Sequence, residues 1–245
     1  KNHSAGGYSS ALGYENMSGG LKASAVGYRN ITDADQAAAL GHANQATAQY
    51  SSAVGALNQA EGENSSSFGY LNIATGKQSS ALGFRNYATA VNSAAIGIYN
   101  NKYNVVEKKW EDQTAGDYSV AIGAKNHSAG GYSSALGYEN MSGGTASSAV
   151  GYRNITNADQ AAALGYANQA TAKYSSAVGA LNQAEGQYSS AVGNQNQAEG
   201  KRSQAVGYRN FVSGYGAVAL GSENNLNFVK QYQALGFVQT GELSS

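Results

Sequence analysis

The stretch Ser52-Ala53-Val54-Gly55, followed by Asn58, decides the fold. It recurs as Ser10-Ala11-Leu12-Gly13 with Asn16, Ser24-Ala25-Val26-Gly27 with Asn30, and Ser80-Ala81-Leu82-Gly83 with Asn86. Its anchor glycines stand at 13, 27, 41, 55, 69, 83 and 97, then at 123, 137, 151, 165, 179, 193, 207 and 221, and last at 236. Every step within the first two runs is 14 residues; Gly97 to Gly123 is one period plus 12, and the last step is 15. The residue before the glycine is apolar in all 16 copies. The residue two before is Ala in 15, with Ser67 the exception, and Asn stands three after in 15, with Gln239 the exception. So many copies at one spacing define an architecture of stacked units, each touching its neighbours.

A period of 14 is two heptads, but the units are not helical. Each carries glycine, often twice, and glycine costs about 1 kcal/mol against alanine in a helix interior. Short strands divided by Gly and Asn turns fit better. Asn tolerates the left-handed backbone region, and its amide can stack on identical residues in a column. The chain therefore reads as all-β, a parallel β-solenoid of 14-residue coils, each with two short strands and two turns. The absence of proline agrees, because proline cannot donate to a β ladder.

Side chains alternate faces along a strand. If Val54 fills the inside of its coil, Ala53 and Gly55 form a smooth face outside. That stripe is either the second side of a thin core or a face on which copies of the chain associate. Small residues permit close approach and a 14-residue coil holds little core. The expectation is accordingly a subunit interface through Ala11, Ala25, Ala53, Ala81, Ala121, Ala135, Ala149, Ala177 and Ala205.

Three segments follow: coils over residues 1–100, an insertion over 101–113, and coils again over 114–245 with a degenerate last one. The twelve extra residues lie between Asn100 and Thr114 and hold the only Trp. They form either a neutral surface loop or a binding loop, in which Tyr103, Lys108, Lys109 and Trp110 are the candidate contacts. Beyond the insertion, residues 126–186 match residues 2–62 with six differences in 61. An active site gains nothing from being lengthened this way; a repeated display surface does.

Charged residues are 12% and the formal net charge is zero, without the basic excess of a nucleic-acid binder. Cysteine is absent, and His3, His42 and His127 stand in no metal-ligand spacing. The serines occupy turn columns with no His and Asp in coil register. No catalytic residue, metal or cofactor is expected. Two aromatic columns run through the repeat, one just after the anchor glycine (Tyr14, Tyr28, Tyr70) and one five before it (Tyr8, Tyr50, Tyr118). They read as stacking ladders or as a surface for protein or glycan partners. Arg29, Arg85, Arg153 and Arg209, two after the anchor, are expected to point outward and are further binding candidates.

Units such as Ser119-Val120-Ala121-Ile122-Gly123 and Ala94-Ala95-Ile96-Gly97 resemble the YadA-like head repeat of trimeric autotransporter adhesins, and the resemblance covers most of the chain. It implies a left-handed β-roll, a homotrimer, and display on the bacterial outer surface, with membrane attachment through an anchor outside this sequence. It also implies attachment to host cells through a protein receptor, the CEACAM type first. Collagen-like matrix proteins and self-recognition in autoaggregation or biofilm are the alternatives. Two departures stand out: Ser or Ala rather than Val three before the anchor, and the 101–112 insertion. A solenoid acyltransferase would need hexapeptide coils and a catalytic His. An ice-binding solenoid would need regular Thr rows. Neither pattern is present.

Overall fold

The computed structural model describes residues 1–101, 103–104, 109–110 and 115–227, and among these only strands, turns and bends occur. The chain divides into two compact units, Lys1–Ala129 and Gly130–Ser245. Each is a parallel β-solenoid. A coil carries one five-residue strand through its anchor glycine, such as Ser52–Ala56, and one two-residue strand, such as Gln59–Ala60. Pairing joins equivalent positions of successive coils. Ala53 lies beside Ser67 and Gly55 beside Gly69 in the first unit; Ala163 lies beside Ala177 and Gly165 beside Gly179 in the second. At the insertion the offset becomes 26, with Gly97 beside Gly123, so the coil resumes in register. Within the insertion Tyr103–Asn104 pairs antiparallel with Lys109–Trp110. The degenerate coil from residue 228 onward lies outside the described residues.

The inside and the outside of the coil are reversed from the sequence expectation. Ala25, Ala53, Ala81, Ala121, Ala135, Ala149, Ala177 and Ala205 are fully buried within the single chain, and Ala11, in the first full coil, is half-buried. They form the core. In the first unit Ala53 and Ala39 cluster with Ala46 and Ala60 of the facing short strands; in the second Ala177 and Ala191 cluster with Ala170 and Ala184. Two strands facing one another across a coil this thin leave room for about one methyl group from each. The alternation of faces holds, but the large apolar residue is turned outward. These alanines accordingly offer no surface for a second chain.

What fills the rest of the interior is asparagine. Asn58 Nδ2 lies 3.0 Å from Asn44 Oδ1, 3.0 Å from Val54 O and 2.7 Å from Gly69 O, so its two hydrogens are shared among three acceptors. Asn58 Oδ1 accepts in turn from the backbone N–H and the side-chain amide of Asn72, at 3.1 and 3.0 Å. The same bonds recur in the second unit, for example at Asn168 and Asn182. The anchor glycine belongs to this ladder. Gly55 has φ +117°, and a Cβ placed on it would meet Gly69 O at 2.1 Å. That carbonyl is the one Asn58 bonds, so any side chain at residue 55 would displace the acceptor. Both turns of the coil also pass through the left-handed region, at Leu57 (φ 57°) and Asn64 (φ 57°). Such a conformation costs about 1–2 kcal/mol for a residue with a Cβ. It persists because each N–H stays in the ladder, Leu57 N–H on His42 O and Asn64 N–H on Gln49 O.

A second polar column lies four before the anchor. Ser51, Ser147 and Ser175 donate to Ala48 O, Gly144 O and Ala172 O at 2.6–2.7 Å. The hydroxyls of Ser79, Ser119, Ser189 and Ser203 are buried without a partner. The same column holds buried Ala23, Ala37 and Ala161, which need none.

Two outcomes follow for stability. Asn58→Ala strips Val54 O and Gly69 O of a donor and Asn72 of its acceptor; at about 1–3 kcal/mol for each buried group left unpaired, chemical denaturation should show a loss of at least about 3 kcal/mol. In the serine column, Ser79→Ala and Ser203→Ala should be neutral or raise stability by up to about 1 kcal/mol, while Ser51→Ala should lower it by about 1 kcal/mol. A loss at Ser79 or Ser203 as large as at Ser51 would contradict the assignment of their hydroxyls as unpaired.

Candidate functional site

The surface is built from the side chains that the ladder turns outward. On the long strand these are the residues one and three before the glycine. The first of these columns is apolar at every coil and uncovered in the single chain: Leu12 is 67% exposed, Leu40 49% and Leu82 44% in the first unit, and Leu164 50% in the second. Beside it lies a mostly Ser or Ala column, as at Ser52 and Ala94.

The aromatic residues after the glycine stack one coil upon the next, as the inter-strand spacing of about 4.8 Å dictates. Tyr14, Tyr28 and His42 form one stack, at 5.5 and 5.1 Å; Tyr138, Tyr152 and Tyr166 form another, at 5.4 and 5.2 Å. Five before the glycine, Tyr174 and Tyr188 stack at 4.7 Å. The ladder reading of these columns therefore holds where aromatics occupy consecutive coils.

The four arginines occupy the left-handed turn position two after the glycine, with φ between 51° and 55°. That conformation throws each side chain outward over the ring before it: Arg29 over Tyr28 at 5.0 Å, Arg85 over Phe84 at 5.5 Å, Arg153 over Tyr152 at 5.0 Å, Arg209 over Tyr208 at 4.9 Å. Three also meet the residue one coil earlier in the same column. Arg29 pairs with Glu15 at 2.7 Å, Arg153 with Glu139 at 2.6 Å, and Arg209 Nε donates to Gln195 Oε1 at 2.8 Å. The hydrogen bond from Arg29 holds the Glu15 carboxyl below its ordinary range, and the bonds to Glu15 and Glu139 raise Arg29 and Arg153 above theirs. The Arg29–Glu15 pair, exposed on both sides, orients side chains more than it stabilises the fold, whereas Glu139 under Arg153 is buried.

Of the insertion candidates, Lys108 lies outside the described residues, and for Tyr103, Lys109 and Trp110 only the backbone is described. What sequence reasoning missed is how the chain leaves the coil. Asn101 is fully buried; its Nδ2 donates to Tyr87 O at 2.9 Å and its Oδ1 accepts from Ser128 N–H at 3.0 Å. In an uninterrupted parallel ladder the next peptide group along the strand would make both bonds. The side-chain amide of Asn101 stands in for that peptide, and the backbone is free to depart. The signal was the doubled Asn100-Asn101 at the point where the 14-residue spacing breaks; the column holds Asn again only at Asn225, and otherwise Met, Ile, Gln, Tyr, His and Phe among the described coils. Among the described residues no group of three or more His, Asp or Glu could hold a metal ion.

The chain matches the family model described as YadA head domain repeat (2 copies) over residues 46–72, 74–99, 115–140, 142–168, 157–182, 184–210 and 198–224, well over half of its length. No curated protein matches it. By its 14-residue coils, its in-register glycines and these matches, the chain belongs to the YadA head repeat family, the heads of surface-exposed trimeric autotransporter adhesins.

Proposed function

We propose that the chain is the head of a homotrimeric adhesin displayed on the bacterial outer membrane, where it attaches the cell to host surfaces without catalysis. The observation that carries the reading is the apolar column before the anchor glycine. A large apolar residue stands there in every described coil, and a single chain leaves about half of many of these side chains in water. Covering the exposed half of a Leu or Val contributes on the order of 1 kcal/mol. Repeated over the coils of either unit, that is ample drive for association. The Ser or Ala neighbour in the same face permits close approach. Three subunits and a left-handed winding of the coil are part of this reading, supported by family membership. The contact between copies thus runs through Leu40, Val54, Leu82 and their equivalents, in place of the buried alanines.

The outward aromatic and arginine columns are then the surface left for partners. Repeated weak contacts, multiplied by three chains, give firm attachment through avidity. A CEACAM-type receptor is the first partner proposed and a collagen-like matrix protein the second. Self-recognition between cells is supported by the repetition of one surface along the chain, which suits pairing with a like copy.

Sedimentation of the purified chain should give a trimer, and Leu40→Glu with Leu164→Glu should shift it to monomer while the β spectrum is kept. A parent chain that sediments as a folded monomer at micromolar concentration overturns the association. Surface-plasmon binding to immobilised receptor ectodomain and to collagen distinguishes the first two partners, and clumping of beads coated with the chain alone marks the third.

A further inference from the structure

We propose that a groove on the first unit is a docking site for a partner-protein segment that carries a carboxylate beside aliphatic side chains. The groove is lined by Leu57, Gln59, Leu71, Ile73, Arg85 and Tyr87, with a volume of about 350 Å³. It runs between two columns: Leu57, Leu71 and Arg85 follow one another at the turn, and Gln59, Ile73 and Tyr87 on the short strands. Its floor is aliphatic and one end is cationic.

Arg85 is the exception among the column arginines. Arg29, Arg153 and Arg209 each bond a carboxylate or amide oxygen one coil earlier. One coil before Arg85 stands Leu71, which offers no acceptor, and one coil after it stands Tyr99. Among the described residues no carboxylate lies within ion-pair distance of Arg85. Its guanidinium is nevertheless held in place, 5.5 Å from the Phe84 ring and 5.9 Å from the Tyr99 ring. A planar fork oriented by two rings and lacking an anion is matched by a carboxylate, which can take two of its hydrogens.

The second unit supplies the contrast. A shift of 124 residues, the offset of the duplication, carries Leu71 to Gln195, Ile73 to Gln197 and Arg85 to Arg209. There the aliphatic wall has become amides and the arginine is satisfied by Gln195. The fold is the same in both units, so the coil does not require Leu71, Ile73 or a free Arg85. Charge complementarity selects an anion, the aliphatic wall selects apolar neighbours for it, and the open form of the groove, with Leu57 37% exposed, suits a chain segment rather than an enclosed small molecule.

The test uses the full chain and a fluorescent, end-blocked peptide alternating leucine and glutamate, with its leucine–glutamine counterpart. Fluorescence polarisation should show saturable binding of the glutamate peptide that falls with salt. Arg85→Gln should weaken it at least about tenfold. The pair Leu71→Gln with Ile73→Gln, which installs residues the same coil already accepts at 195 and 197, should do likewise. Arg209→Gln should leave it unchanged. Equal binding by Arg85→Gln, equal binding of the glutamine peptide, or no saturable binding overturns the proposal. So does binding that appears only when residues 102–113 are deleted, since the chain's own Glu107, Glu111 or Asp112 would then be the occupant. The peptide assay is independent of subunit association and of any host receptor: failure of those readings leaves the groove result standing, and the reverse.

Discussion

The hydrogen bond from an asparagine amide to the carbonyl of the next coil's anchor glycine is the constraint on which the rest depends. It couples two columns that look independent in sequence. The asparagine can reach Gly69 O only because nothing projects from residue 55, and that carbonyl lies within reach only because the glycine adopts φ near +117°. With the amide also bonding the coil below, an inner coil such as that of Asn58 or Asn168 is tied to both neighbours through one side chain. A polar interior is ordinarily a cost, but here each amide is satisfied by the repeat itself, so burial strengthens the bonds instead of orphaning them.

That ladder sets how thin the coil is, and the thinness explains where sequence reasoning succeeded and where it inverted. The solenoid, the parallel ladder, and the two strands and two turns per coil were all legible in the spacing. They follow from periodicity, which needs no knowledge of scale. The side on which Val54 lies does depend on scale. The rule that large apolar residues go inside assumes an interior wide enough to take them. Between strands that meet through single methyl groups, as Ala53 and Ala60 do, there is no such width. Alanine is the apolar residue that fits at nearly every inward position, Val212 being the one larger apolar residue in the described core, and the valines, leucines and phenylalanine before the anchor glycine are left for the outside.

The site was legible in part for a related reason. The arginines two after the glycine were placed outward, and they are. Their differing partners were not foreseen, because they depend on which residue stands 14 positions earlier: Glu15 under Arg29, Leu71 under Arg85, Gln195 under Arg209. In a solenoid the neighbour that matters is one period away, so the readable unit is the column and not the stretch. Asn101 makes the same point. Its meaning lies in Tyr87 and Ser128, one coil to either side, and not in the residues that flank it.

This division of labour separates stability from recognition more cleanly than a globular core does. Inside, each position is fixed by contacts with its own copies: Ala by the facing methyl group, Asn by the amide ladder, Gly by a carbonyl 2.0 Å from where its Cβ would sit. Outside, the turn positions hold Glu, Arg, Ala, Leu, Tyr, Lys and Gln in one column at nearly the same φ. Their backbone hydrogen bonds keep the turn whatever the side chain, so substitution there leaves the ladder intact. Duplication of a run of coils then copies the scaffold whole and frees one copy's turns to change. Beyond the matching segments, at the same 124-residue offset, the first unit's Leu71 and Ile73 stand against the second unit's Gln195 and Gln197, a difference at two outward positions of the coil, while Asn72, Asn86, Asn196 and Asn210 beneath them keep the same bonds.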